Sequence, residues 1–452
     1  MDIVVVGNGK IGKNLSSMLV NEGHNITIVD CDASAISKSQ NSQDLMCIEG
    51  NGATAEVQKE AGVNKADLLV ATTPFDELNM MCCLIARKLG CKKTISRVRN
   101  PEYYKQIDLI KDDLGLSMVI NPERNTADEI RRILVFPSAV KVEVFEKGRV
   151  ELVEHVIPEN SLIADLSLID IYKKTKLKFL ICAVVRNDEV FIPTGDFVLQ
   201  AGDRIHLAAS HKDIERFFRS SGVMKDKVKT VMIVGGGKIC VYLANQLINI
   251  GMRVKIIEKD YDLCQELAEL IPKAVIIHGN GAVEDLLMEE GIMDADSFVA
   301  LTGFDEQNIL MSLYAKNNTG TKVITKVNDE SYIKLASQLG LDCLISPKNI
   351  TSSNILSYVR SQENTSESNI ESLYNLVGNQ VEAIEFNIRD NIPDVVGISF
   401  KDLKLKENIL ICAIIRKREV IIPNGDDSIQ LGDAVVIVTK EHHISDIRDI
   451  LL

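Results

Sequence analysis

At 452 residues the chain is too long for one ordinary core, and about 150 residues per domain predicts near three domains. Hydrophobic residues at 46% and charged residues at 25% describe a folded protein without a disordered majority. The 51 Lys plus Arg against 64 Asp plus Glu leave a formal charge of -13. With no cluster of basic residues, that balance argues against a nucleic-acid partner and against an anionic membrane surface. No stretch approaches the roughly 20 apolar residues of a membrane-spanning helix. The opening MDIVVVGNGK has no basic segment before a cleavable apolar one, which predicts no signal peptide. Ten scattered cysteines without a C-x-x-C pair read as reduced, mostly buried thiols. An acidic, cytosolic, multi-domain protein is expected.

In chain order, DIVVVG is followed by a helix from about Lys10 to Glu22 and then by NITIVD. Further helical segments precede LMCIEG, LLVATT and TISRV. Short apolar runs alternating with helices predict βαβ units in a doubly wound parallel sheet. IVVVG is apolar on both alternating faces, as a strand covered by helices on each side must be. After Asn121-Pro122 comes a helical stretch, TADEIRRIL, and then strand and turn signals. LICAVV and VFIP flank the turn-prone Arg186-Asn187-Asp188, and Gly202-Asp203 precedes a last strand and a short helix. A small α+β domain is expected there.

The chain then repeats itself. VVVGNGKIG (4–12) returns as MIVGGGKIC (232–240), and GNGAT (50–54) as GNGAV (279–283). TPFDELN (73–79) returns as TGFDEQN (302–308), and LICAVVRNDEVFIPTGD (180–196) as LICAIIRKREVIIPNGD (410–426). One nearly constant offset held over whole halves means a duplicated two-domain unit. The expected boundaries are 1–121 and 228–346 for the parallel α/β domains, and 138–221 and 370–452 for the α+β domains. The polar run 361–369 is the expected linker, with another junction near 221–229.

Gly7-Asn8-Gly9-Lys10-Ile11-Gly12 follows a strand and opens a helix, which is where a dinucleotide fingerprint works. The first glycine permits the tight turn, the second lets a pyrophosphate approach the backbone, and the third lets helix and strand pack closely. The helix N-terminus offers free N–H groups to phosphate. Asp30, ending the second strand, suits a ribose hydroxyl. The alternative is a glycine turn that binds no phosphate. The second half offers Gly235-Gly236-Gly237-Lys238-Ile239 with Glu258 as its acid, but Cys240 stands at the third position, where the fingerprint has glycine. Neither loop is a Walker A motif. Lys10 and Lys238 either steer phosphates or are solvated helix-start lysines. The acid at the ribose disfavours NADP and leaves NAD, ATP, ADP and AMP open.

Other ligand candidates end the later strands: Asn51 and Gly52 with Asn280 and Gly281, Thr72 and Thr73 with Leu301 and Thr302, and the cations Arg97 and Lys326. Asp76 and Asp305 are expected to cap the helices they begin. No catalytic residue set is repeated, no G-x-S-x-G or H-E-x-x-H occurs, and no cysteine–histidine spacing suits zinc. His442-His443 reads as surface, and Cys82-Cys83 as small hydrophobes inside a helix. A nucleotide sensor is expected, and the alternative is an NAD-dependent oxidoreductase with two fused nucleotide domains.

Together, the two glycine loops, Asp30 and Glu258, the two GNGA segments and the two LICA…IP-x-GD segments resemble the Trk-type potassium-uptake regulatory subunit family (TrkA, tandem RCK or KTN units) over essentially the whole chain. The resemblance implies Rossmann-like N-lobes that bind NAD(H) and adenine nucleotides such as ATP and ADP, each followed by a small C-lobe. It also implies a homo-oligomeric, tetrameric ring in the cytoplasm, peripheral to the inner face of the membrane. There the ring would gate a potassium-translocating membrane subunit without being an enzyme. By position, Arg97 and Lys326 match that family's phosphate-contacting basic residue.

Overall fold

The computed structural model describes residues 1–40, 45–145, 149–187, 189–222, 227–363, 370–377, 380–441, 444 and 446–452. Both expected linkers therefore lie partly outside the described residues, and Asp188, His442 and His443 lie wholly outside them.

The first half begins β1 (Asp2–Val6), α1 (Lys10–Asn21), β2 (Asn25–Asp30), α2 (Ala33–Gln40), β3 (Met46–Glu49) and α3 (Ala55–Glu60). It continues β4 (Leu68–Ala71), α4 (Asp76–Leu89), β5 (Lys93–Arg97), α5 (Pro101–Ile110), β6 (Met118–Ile120) and α6 (Pro122–Val135). Its strands form one parallel sheet in the order β3-β2-β1-β4-β5-β6. The order reverses between β1 and β4, the switch point at which doubly wound sheets open a crevice. Ile3 to Val6 are all buried, as the run of β-branched residues requires. Cys82 and Cys83 lie buried in α4, where small side chains let helix and sheet approach.

An antiparallel sheet follows, made of β7 (Lys141–Phe145), β8 (Val150–Val156), β9 (Phe179–Arg186), β10 (Glu189–Phe191) and β11 (Arg204–Ala209), with α7 (Leu168–Thr175) and α8 (His211–Ser220). Its order is β10-β9-β11-β8-β7. The repeated Arg and Gly-Asp signals meet here: Arg186 makes two hydrogen bonds of 2.7 Å to the buried Asp203 carboxylate.

The second half copies the parallel sheet with β12 (Thr230–Val234), α9 (Lys238–Asn249), β13 (Arg253–Glu258), α10 (Tyr261–Leu270), β14 (Val275–His278) and α11 (Glu284–Glu289). After these come β15 (Ser297–Ala300), α12 (Asp305–Thr319), β16 (Lys322–Lys326), α13 (Glu330–Gln338), β17 (Cys343–Ile345) and α14 (Pro347–Glu363). The order β14-β13-β12-β15-β16-β17 is the same. The second antiparallel sheet is β18 (Ile370–Leu376), β19 (Val381–Asn387), β20 (Ile409–Arg416), β21 (Glu419–Ile421) and β22 (Ala434–Thr439). In it Arg416 grips Asp433 at 2.9 and 2.8 Å. The short helix expected after its last strand is a 3-10 turn over Ile447–Ile450. Both isoleucines are buried, and their spacing of three fits a helix with three residues per turn.

The two halves exchange helices. α6 carries Ala127, Ile130, Ile133 and Leu134 into the core of the second half's parallel sheet, among Leu243, Ala244 and Leu247 of α9. Reciprocally, Ile355, Leu356 and Val359 of α14 enter the first half's core beside Leu15 and Leu19 of α1. At roughly 1.5–3 kcal/mol per fully buried Ile or Leu, each exchanged helix makes a large contribution to holding the halves together. Polar contacts fix the register: Asn14 donates to Ser352 at 3.0 Å, Asn121 to the Tyr242 hydroxyl at 3.0 Å, and Gln246 to Asp128 at 2.8 Å. The two antiparallel sheets also share a core, in which Cys182 and Cys412 occupy equivalent buried positions.

Candidate functional site

At the carboxyl edge of the first parallel sheet lies a cavity of about 700 Å³. Its wall brings together Gly7, Gly9, Lys10, Ile11, Asp30, Asn51, Gly52, Thr72, Thr73 and Arg97, residues far apart in sequence. The turn is built for close approach. Gly7 has φ +98°, and a Cβ there would meet the Thr73 nitrogen at 2.9 Å. A Cβ on Gly12 would stand 1.9 Å from the Gly7 carbonyl oxygen, so Gly12 serves packing rather than the cavity wall. Gly9, by contrast, has nothing within 4 Å of where a Cβ would stand. That open space, at the start of α1, is a cradle of the kind a phosphate fills.

Asp30 accepts hydrogen bonds from the Asn8 and Asp32 backbone nitrogens at 2.5 and 2.9 Å, which orients its carboxylate at the cavity edge. The Asn8 side chain turns away from the cavity and donates to the Ala35 carbonyl at 2.8 Å and the Ser39 hydroxyl at 2.9 Å. The part of this side chain is to fix the loop against α2.

Arg97 donates to the Thr73 carbonyl at 3.2 Å, and its Nη2 stands 3.8 Å from Glu123. Burial pulls its basicity down, with Glu123 opposing that shift. Its Nε is buried without a hydrogen-bond partner, as is one oxygen of Glu123. Orphaned groups of this kind at a cavity wall, together with the cradle and the carboxylate, fit a ligand that carries phosphate and a diol.

The second cavity is smaller, about 340 Å³, and gathers Gly235, Gly236, Gly237, Glu258, Asn280, Gly281, Leu301, Thr302 and Lys326. Lys238 and Ile239 lie outside its wall. Glu258 repeats the loop clasp by accepting from the Gly236 nitrogen at 2.7 Å. Gly237 again faces open space. Burial lowers the Lys326 ammonium's basicity; Asp305 opposes that shift, and Lys10 of the first half adds to it. Two changes occur together here. Thr72, whose hydroxyl donates to the Gly7 carbonyl at 3.1 Å, is replaced by Leu301, and Gly12 by the fully buried Cys240. Where the first half holds the turn tightly against the helix, the second fills the gap with a side chain.

The TrkA-N domain family matches residues 3–122 and 231–347, and the TrkA-C domain family matches 152–222 and 383–452. The chain belongs to the TrkA family. A Trk system potassium uptake protein TrkA homolog of Archaeoglobus fulgidus is 32% identical over 451 residues, covering 100% of both chains. The Trk system potassium uptake protein TrkA of Halomonas elongata is 32% identical over 452 residues, covering 99% of this chain and 98% of its own. In solved structures, the GsuK RCK domain aligns with a TM-score of 0.63 at 17% identity, covering 97% of this chain and 92% of that one. The GsuK channel bound to NAD aligns with a TM-score of 0.64 at 17% identity, covering 97% and 76%. At that identity the likeness establishes the fold.

In this TrkA-family chain two pairs of site residues were not legible as such. Asp76 does not cap α4. Its carboxylate accepts from the Arg99 and Asn100 nitrogens at 2.8 and 2.7 Å and so fixes the turn after β5. Asp305 does the same for Asn328 and Asp329 at 2.8 and 2.9 Å. Capping loses because each aspartate lies one residue inside its helix, facing the neighbouring strand's loop. Asn79 is wholly buried and binds the Thr73 nitrogen, hydroxyl and carbonyl while also donating to the Arg97 carbonyl at 3.0 Å. Asn308 repeats this between Thr302 and Lys326. The signal was the asparagine shared by both copies of T-x-F-D-E-x-N.

Proposed function

We propose that this protein is the nucleotide-sensing regulatory subunit of a Trk-type potassium uptake system. It binds NAD(H), ATP or ADP in its parallel-sheet lobes and, as a homo-oligomeric ring in the cytoplasm, gates a potassium-translocating membrane partner. The observation that carries the reading is the cavity at the β1–β4 switch point, which joins an open glycine cradle, an oriented Asp30 and a partly buried Arg97. Relatives matching the full chain and named for potassium uptake support the transport context. Among the described residues no helix is long and apolar enough to cross a membrane, so a transport role would be exercised through a partner.

A nucleotide would contribute charge and a rigid bridge between lobe surfaces. The chain's part is to hold the ribose at Asp30, the phosphates at the α1 N-terminus, and the far end beneath Arg97. A ligand that binds one arrangement of the lobes more tightly shifts the population by that difference, and about 1–3 kcal/mol is typical of such coupling. Asp30→Ala is expected to weaken ATP, ADP and NAD binding by about 1.5–3 kcal/mol, the scale of a charged hydrogen bond. Calorimetry reads this directly, and unchanged affinities would remove Asp30 from the site. Potassium flux through the co-purified membrane partner, compared with and without each nucleotide, tests the gating role.

A further inference from the structure

The first cavity is not built by the first half alone. Asn328, Pro347 and Lys348 of the second half complete its wall, brought there by the packing of α14 on α1. The second cavity is lined entirely by residues of its own half. The two sites are thus inequivalent in a way the repeat conceals. The repeat-equivalent triplets after β6 and β17 are Asn121-Pro122-Glu123 and Ser346-Pro347-Lys348, so an acid in one half is a base in the other.

Position along the sheet edge says what Lys348 faces. Asp30 ends β2 and Arg97 ends β5, three strand spacings apart in the order β2-β1-β4-β5, or about 14 Å at roughly 4.8 Å per spacing. A ribose at Asp30 with phosphates at Gly9 to Ile11 leaves the ligand's far end beneath Arg97, Glu123 and Lys348. One oxygen of Glu123 is held by Arg99 at 2.6 Å, while its other oxygen is orphaned. The Arg97 Nε is orphaned, and Lys348, whose charge also acts on Asp329, stands on the same cavity wall. The helices α1, α6 and α14 all begin at this cavity and add partial positive charge. Two cations and three helix starts against the one Glu123 carboxylate favour a third phosphate over the cationic ring of oxidised nicotinamide.

We propose that Lys348 reads the terminal phosphate of a nucleoside triphosphate in the first cavity, so that a triphosphate, unlike NAD, ties the two halves together. This rests on the reading that the cavity binds adenine nucleotides. The pull has a route outward: α14 runs from Lys348 to Arg360, which pairs with Glu22 of the first half and with Glu382 of the last domain at 2.6 Å.

The test is calorimetry on the full chain with the second cavity disabled by Glu258→Gln, titrating ATP, ADP, AMP and NAD. Lys348→Ala is expected to weaken ATP about tenfold, the scale of a charge-assisted hydrogen bond, with AMP and NAD unchanged and ADP altered less than threefold. Lys348→Arg should restore ATP binding. Amide exchange in 347–360 should slow with ATP and not with NAD. Equal weakening of ATP and ADP, or undiminished ATP affinity in Lys348→Ala, overturns the role of Lys348 while leaving the site intact. No binding of any nucleotide, even with Lys348 present, overturns both this proposal and the reading beneath it.

Discussion

Gly12→Ala isolates the tightest contact in the first glycine turn. An added Cβ would stand 1.9 Å from the Gly7 carbonyl oxygen and 3.1 Å from the Thr72 hydroxyl, against an ordinary contact of about 3.4 Å or more. The turn must retreat by more than an ångström, which strains it and breaks the Thr72-to-Gly7 hydrogen bond of 3.1 Å. Overpacking costs about 1–3 kcal/mol and the lost hydrogen bond about 1 kcal/mol. Replacing a helical glycine with alanine returns about 1 kcal/mol. The net expectation is a loss of about 1–3 kcal/mol in unfolding free energy, read from denaturant titration, together with weaker nucleotide binding at the first cavity. Adding Thr72→Leu copies the second half's pairing, and the double variant should lose less than the sum of the two single changes. Unchanged stability, or the gain of about 1 kcal/mol that helix propensity alone predicts, would refute the reasoning.

Arg186→Ala leaves the buried Asp203 without its two-point partner. The expected loss is about 2–3 kcal/mol, below the roughly 3–5 of a fully buried pair because Arg186 is a quarter exposed. A shift under about 0.5 kcal/mol by chemical denaturation, ordinary for a surface change, would count against the clasp. Glu129 is buried beside Glu143, and burial first and that carboxylate second raise its pKa to about 6. A raised acid penalises the folded state when ionised, so stability falls as pH rises from about 4.5 to 6. Glu129→Gln should therefore be more stable than the parent above pH 6, by about 2 kcal/mol, and the gain should vanish near pH 4.5. Melting curves across that range check the sign. Burial also pushes the Cys82 thiol up to about 12, whereas Cys31 is exposed. In the native protein at pH 8, iodoacetamide should label Cys31 and spare Cys82 and Cys83, and mass spectrometry showing equal labelling would refute their burial in α4.

The sequence by itself determined whatever depends on short-range pattern. Strand β1 had to be covered on both faces because Ile3 to Val6 offer no polar side. The turn at Gly7 had to be glycine because its φ is positive. Asp30 had to stand near the loop because βαβ geometry returns the end of β2 beside the end of β1. The duplication was legible because a preserved offset needs no knowledge of packing.

Tertiary structure decided what covers each apolar face. The pattern of TADEIRRIL shows that α6 buries one side, but nothing local says that the partner is α9 of the other half. The same exchange puts Lys348, some 340 residues from Gly7 in sequence, on the first cavity's wall. Asp76 was misread and Asn79 passed over for a related reason. A short polar side chain can bond to its own helix, to the next strand's turn, or to a neighbouring helix at similar cost. Which partner it takes is fixed only when the chain brings one within about 3 Å.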